Sequence, residues 1–462
     1  MAIRVTFHGG AGAVTGSNFL VEGTEGGKIL IDCGLEQGRD FCAKCMYASF
    51  PYDASTIDAL VITHAHLDHI GRAPKLVREG FKGKAYMTEA TRDLMALMLS
   101  DSVNLLAQEA KRYGQLPLYS VEDVERLLTL VETIPYNEER TIAPGLSIYM
   151  RDTGHILGAG SVRVKDADGT TAAFTGDIGN SPNPYLRDAD PVPDADALIM
   201  EAVYGDRLHE HVDQRVPQLR DTLKRAIERG GTILMPAFSM ERTQLMLYEI
   251  SNLMEAGELP KIPVFLDSPL AINVTAIYEK WASEYFNEAA KAEMKKEQSI
   301  FRFPFLTMTP SREDSETIAG EPSPKLIIAG AGMSHGGRIG KWEAKYLPDP
   351  TTTLLIVGYQ APGSPGRLLQ DGATKVKLDG HEVKVRAKVE SLTSWSAHAD
   401  REGLLAFAQG SLPRAKAIFV SIGEPAAQRF LAQRIHDFLG AKAIVPSQGE
   451  VWEIRKDGVT KI

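Results

Sequence analysis

Apolar residues in the first two hundred positions fall in short runs, IRVTF, SNFLVE, GKILID, DALVIT, LSIYM, SVRVK and TAAFTGD, many bounded by Gly, Asp or Thr. Runs of that length and punctuation predict the strands of a sandwich. One stretch differs. From about Thr88 to Tyr113, Leu94, Leu97, Met98, Leu105 and Leu106 recur at helical spacing, which predicts a helix covering an antiparallel or mixed sheet. From about Gly205 the pattern alternates: a helix over Gln214–Glu228, the run GTILMP, a helix over Met240–Glu255, the run VFLD, helices to about Lys296, then KLIIAG and TTLLIVG. That succession predicts βαβ units on a parallel sheet. After about Gly380 the short runs return as EVKVRAKVESL, AIFVS, AIVP and EVWEI, with a helix near Ala426–Leu439. The pattern as a whole predicts an α/β domain inserted into a sandwich. Residues 1–205 would form the first part of the sandwich domain, 206–380 the insert, and 381–462 the completing segment.

Composition supports packed domains and narrows the setting. The chain has 462 residues, 44% hydrophobic and 24% charged, enough for more than one core. Its start, MAIRVTFHGG, lacks the basic flank and apolar centre of a secretory signal, and no apolar run reaches the roughly 18 residues of a spanning helix. A cytoplasmic protein without membrane contact is expected. The three cysteines, Cys33, Cys42 and Cys45, are too few for a disulfide scaffold and fit a reducing compartment. Cys42 and Cys45 form a CxxC, but no second pair at structural-zinc spacing accompanies them, so they read as reduced loop thiols. The net charge of −9 excludes a protein that coats nucleic acid with its whole surface; a basic cleft on an acidic body remains open.

Chemistry concentrates in ITHAHLDHIG, where a strand ending at Ile62–Thr63 runs into His64, His66, Asp68 and His69. Imidazoles two apart on a turn can take one metal, while Asp68 and His69 point onward to a second. Packing does not explain three histidines and an aspartate at one strand end. Asp32 in ILIDCG, His155 in the glycine-rich turn DTGHILGAGS and Asp177 in FTGDIG are each placed to complete the site, although each alone would pass for a turn residue.

The order Asp32, HAHLDH, His155, Asp177 resembles the metallo-β-lactamase superfamily pattern, with its αββα sandwich. MEAVYGDRLHE is similar to the motif that opens the β-CASP insert, and PAFSMERTQ, FLDSPLA, GAGMSHGGRI, GYQAPGSPGRLLQDG and WSAHAD resemble further β-CASP segments. The resemblance runs from HGGAGAVTGS to IGEPAA and looks like the compact bacterial type of that nuclease family, which includes RNase J and the endonuclease subunit of the pre-mRNA cleavage machinery. It implies that His64, His66 and His155 hold one zinc, that Asp68 and His69 hold another, and that Asp177 bridges them. Manganese is an alternative metal. Asp32 would orient a ligand by hydrogen bonding. Glu201 would hold His398, the proton donor to the leaving oxygen, and Asp68 is placed with these two among the catalytic residues.

The implied activity is metal-dependent hydrolysis of phosphodiester bonds in single-stranded RNA. Gly336, Gly337 and Arg338, together with Arg367 after Gly366, pair glycine turns with guanidinium groups that suit phosphate, and Ser334 and Arg242 are further candidates. Two other functions stay open: hydrolysis of small esters, thioesters or lactams on the same fold, and RNA binding with weak catalysis. A homodimer is also open. One departure stands out. Where the family carries a histidine ligand before Gly-Glu-Pro, FVSIGEP places Ile422, so the second metal is expected to be labile, with Ser421 or His335 as conceivable substitutes.

Overall fold

The computed structural model describes residues 2–37, 46–209, 212–378, 380–392, 395–412 and 414–462. Cys42 and Cys45 lie outside the described residues. The chain divides into two compact units, Met1–Leu208 with His398–Ile462, and His209–Ala397.

The first unit contains two sheets. The eight-stranded sheet runs edge to edge through Gly458–Lys461, Val451–Arg455, Ile3–Phe7, Phe19–Glu22, Lys28–Ile31, Ala59–Val61, Lys84–Met87 and Val131–Thr133. The seven-stranded sheet runs through Ala443–Ile444, Ala417–Val420, Ala197–Met200, Thr171–Phe174, Gly160–Asp166, Leu146–Asp152 and Glu139–Ala143. Both mix parallel and antiparallel pairs, and apolar side chains of the two sheets merge into one core. Phe7 contacts Phe19 and Phe419, and Phe19 contacts Phe174, with ring centroids 5.5–5.6 Å apart. Truncating one such buried ring costs about 3–5 kcal/mol, so this cluster is a firm base for the loops that follow the strands.

In the sequence the helix Glu89–Arg112 follows the strand Lys84–Met87 and is capped by Thr88, whose side chain accepts the Thr91 N–H. Leu94, Leu99, Val103 and Leu106 face inward, whereas Leu105 is 64% exposed. Of two adjacent leucines on a helix only one can share the inward stripe, and Leu106 takes it.

The second unit is built on a six-stranded sheet, ordered Leu306–Met308, Val264–Asp267, Lys325–Ala329, Thr232–Pro236, Thr353–Ile356 and Lys388–Ser391, with every pair parallel. The boundary expected at 380/381 falls inside this unit. Lys388–Ser391 pairs with Thr353–Ile356, and His381–Lys384 forms a hairpin with Lys375–Leu378. A short apolar run does not declare which sheet it joins, so EVKVRAKVESL read as a sandwich strand belongs instead to the insert. No described helix is long and apolar enough to cross a membrane.

Candidate functional site

Loops after parallel strands carry the site. Asp32 follows Lys28–Ile31, His64 follows Ala59–Val61, Asp177 follows Thr171–Phe174, and Glu201 follows Ala197–Met200. Carboxyl ends of parallel strands are where open backbone and helix starts leave room for a ligand.

The HAHLDH run is pinned by backbone. Cys33 N–H donates to the His69 carbonyl at 2.8 Å, Leu35 N–H to Leu67, and Ser17 N–H to Asp68. This crowding explains Gly34, where a Cβ would lie 1.6 Å from the Asp68 carbonyl oxygen. Asp68 and His69 sit on the short helix Leu67–Ile70 and His66 caps it.

Four ligand atoms converge: His64 Nε2 and His155 Nε2 lie 3.1 and 3.2 Å from His66 Nδ1, and 3.3 and 3.4 Å from Asp177 Oδ2. Atoms bound tetrahedrally to zinc at about 2.0–2.1 Å stand about 3.3–3.4 Å apart, so the set fits a metal ion. Burial, then the neighbouring cationic groups, holds His66 and His155 well below the usual histidine range, which keeps them neutral as ligation requires. Burial would raise Asp177, but His69, His64 and His398 outweigh it and hold its carboxyl well below the usual range.

A second convergence lies on the other side of Asp177. His69 Nε2 is 3.3 Å from Asp177 Oδ1 and 3.9 Å from Asp68 Oδ2. His69 Nε2 and Asp177 Oδ1 are both buried without a hydrogen-bond partner, a costly arrangement that a cation would relieve. Asp32 orients this set: it accepts from His69 Nδ1 at 2.6 Å, leaving Nε2 to face the site, and from Ser17, Thr63 N–H and the Thr63 hydroxyl. Thr63, whose hydroxyl also lies 3.1 Å from His64 Nδ1, was not singled out by the sequence. Its place directly before HxH was the available signal.

Ile422 does not approach as a ligand. It takes φ +45°, sends its N–H to the Gly10 carbonyl at 2.5 Å and buries its side chain in the sandwich core. Ser421 Oγ is turned to the Met200 carbonyl, and His335 is an exposed residue of the second unit. The Cys33 thiol, although next to Asp32, is pushed up to about 12 by burial and stays protonated.

His398 meets the centre from the far side. Its Nδ1 is 3.2 Å from Glu201 Oε1 and 3.9 Å from Asp177 Oδ2, and its ring stands 4.5 Å from that of His155. Burial lowers the imidazole, but Glu201 and Asp177 more than offset this and hold it at about 9. Glu201 is fully buried and fixed by the N–H groups of Ile178 and Val203. Ala399 N–H donates to Ile178 O at 2.8 Å, tying the SAHAD turn to the Asp177 loop.

The phosphate candidates of the second unit fare differently. Arg338 is committed: it donates to the buried Asp267 carboxylate and to the Thr309 carbonyl at 2.6 Å each, and to the Pro310 carbonyl at 3.0 Å. A guanidinium held by a buried carboxylate anchors its own loop, which weighs against its expected use as a phosphate clamp. Ser334 is likewise buried and donates to Glu343. Arg242 is largely enclosed at the start of the helix Arg242–Glu255. Gly336 and Gly337 both hold positive φ at the start of the helix Gly337–Tyr346, and Arg367 is half exposed beside Asp371.

Three family descriptions match the chain in succession: the metallo-beta-lactamase superfamily over residues 11–237, the Beta-Casp domain over 243–369, and the Zn-dependent metallo-hydrolase RNA specificity domain over 382–446. The chain is 35% identical over 409 residues to ribonuclease TTHA0252 of Thermus thermophilus, covering 88% of this chain and 91% of that protein. It is 32% identical to transcription termination factor FttA of Methanosarcina mazei, covering 94% and 69%. It is 30% identical to an RNase J-like protein of Methanocaldococcus jannaschii, covering 98% and 100%. A solved protein of unknown function from Enterococcus faecalis V583 shares the fold, with a TM-score of 0.57 at 12% identity over 98% of this chain and 100% of that one.

Proposed function

Because the chain belongs to the β-CASP family of metallo-β-lactamase-fold nucleases, we propose that it hydrolyses phosphodiester bonds of single-stranded RNA at the His/Asp centre of its first unit. The observation that carries this reading is the convergence of His64, His66, His155 and Asp177 beside a separately held His398. When bound, a pair of divalent ions lowers the pKa of a shared water toward neutrality and offsets phosphodiester charge. His64, His66, His155 and Asp177 would hold one divalent ion, zinc by the donor set, and Asp68, His69 and Asp177 would hold the other. Asp32 keeps the proton on His69 Nδ1. His398 gives a proton to the leaving oxygen, and Glu201 positions and charges that imidazole. Gly336, Gly337 and Arg367 are the remaining candidates for phosphate contact.

Metal-loaded protein is expected to cut end-labelled single-stranded RNA and to leave nitrocefin and thioesters intact. The reverse result establishes the small-ester alternative, and RNA binding without products establishes the weakly catalytic one. The labelled fragments also separate internal cleavage from 5′-end trimming.

The second ion is expected to be labile, since Ile422 brings no ligand atom and leaves three protein ligands. After gel filtration, elemental analysis should find one retained metal per chain, with activity rising as metal is returned to the buffer. Ile422→His should retain more metal where its imidazole turns out of the core to ligate, and should lower the melting temperature where it stays in it. Two metals held tightly by the wild type, with no gain from the histidine, would refute lability.

A further inference from the structure

A strip of rings and guanidinium groups leads from His398 over the surface of the first unit. The Tyr204 ring centroid lies 6.2 Å from that of His398, and the Arg207 guanidinium 5.8 Å from Tyr204. The Arg207 carbonyl accepts the Arg401 N–H at 3.1 Å, and the Arg401 guanidinium stands 5.7 Å from the Phe430 ring. Phe430, Arg434 and Phe438 are spaced four apart on the helix Pro425–Leu439 and therefore share one face. Arg434 is sandwiched, 4.9 Å from Phe430 and 5.3 Å from Phe438. Along the helix axis, Phe430 to Phe438 covers about 12 Å.

Two features say that this strip serves more than folding. Phe438 is 66% exposed, so its ring adds little to the core. Arg434 has no carboxylate within ion-pair distance among the described residues, whereas Arg207 is paired with Asp206 and Arg401 with Glu402. Protein docking favours a continuous apolar patch, but here cations separate the rings. Alternating rings and guanidinium groups match unpaired bases and the phosphates between them.

The geometry points to a second RNA-contacting strip, apart from the metal centre. In it Phe430 and Phe438 stack bases while Arg434 meets the phosphate between them, so that a long strand is held beyond the bond that is cut. This inference rests on the chain being an RNA hydrolase, and the test separates the two. Phe438→Ala and Phe438→Ala/Arg434→Gln should raise KM for a single strand of about 30 nucleotides by about tenfold, the order expected for one lost base stack. On substrates of about four nucleotides, the lower end of a single-strand site, kcat and KM should stay within about twofold of wild type. Arg434→Gln should also reduce the salt slope of long-strand binding by about one. Iodouracil-bearing RNA should photo-crosslink to Phe430 or Phe438. If wild type cuts neither length, the hydrolase reading fails. If it cuts both and the variants match it on the long strand, the strip alone is wrong. Loss of a dimer on gel filtration with unchanged KM would assign the strip to a second copy of this chain and overturn the RNA inference.

Discussion

Asp177→Asn should reduce RNA cleavage by on the order of 10⁴-fold, about 5.5 kcal/mol of transition-state stabilisation. One carboxylate serves both halves of the centre: Oδ2 faces His64 and His155 at 3.3 and 3.4 Å, and Oδ1 faces His69 at 3.3 Å. The amide keeps the volume but loses the anion, and its nitrogen turns a donor toward imidazole atoms that must face a cation. Retained metal should fall together with activity, measured by elemental analysis of the same gel-filtered sample used for cleavage. A variant that keeps its metal and cuts within about tenfold of wild type, a difference of only about 1.4 kcal/mol, would remove Asp177 from the bridge.

His398→Ala should behave differently. A general acid is worth about 10²–10⁴-fold, so RNA cleavage drops by that order while metal content and RNA affinity stay near wild type. The two groups are distinguishable because the His398 Nδ1 leans on Glu201 at 3.2 Å and stands 3.9 Å from Asp177, outside the ligand set of His64, His66 and His155. A substrate whose leaving group needs no proton supplies the control. On bis(p-nitrophenyl) phosphate the variant should lose far less than on RNA. Equal losses on both substrates would make His398 a structural or ligand residue. Glu201→Gln is the intermediate case: it leaves the ring in place but removes the largest charge that raises it.

The candidate metal run was legible because ligating side chains cannot be mistaken for packing when several crowd one strand end, whereas His155 and Asp177, each alone a turn residue, joined it only as members of the set and through the family resemblance. The parallel sheet of the second unit was legible from its alternation of helical and continuous apolar periods. What escaped depends on partners distant in sequence. Nothing near Arg338 announces that Asp267, at the end of Val264–Asp267, will claim its guanidinium. Ile422 could be seen as the wrong residue for a ligand, but not as a core residue held at positive φ against Gly10. The Phe430, Arg434, Phe438 spacing is not distinctive in the sequence, since four-residue repeats of mixed character pass for an ordinary solvated face.

The N-terminal strand Ile3–Phe7 has neighbours of two ages. Phe19–Glu22 emerges from the ribosome almost with it, whereas Val451–Arg455 follows more than four hundred residues later. Until then the strand presents an open edge able to recruit other chains. His398, on which proton delivery is proposed to depend, is likewise translated some two hundred residues after Glu201, the carboxylate that seats it. A chain still being made can therefore hold all the proposed metal ligands before the proposed proton donor exists.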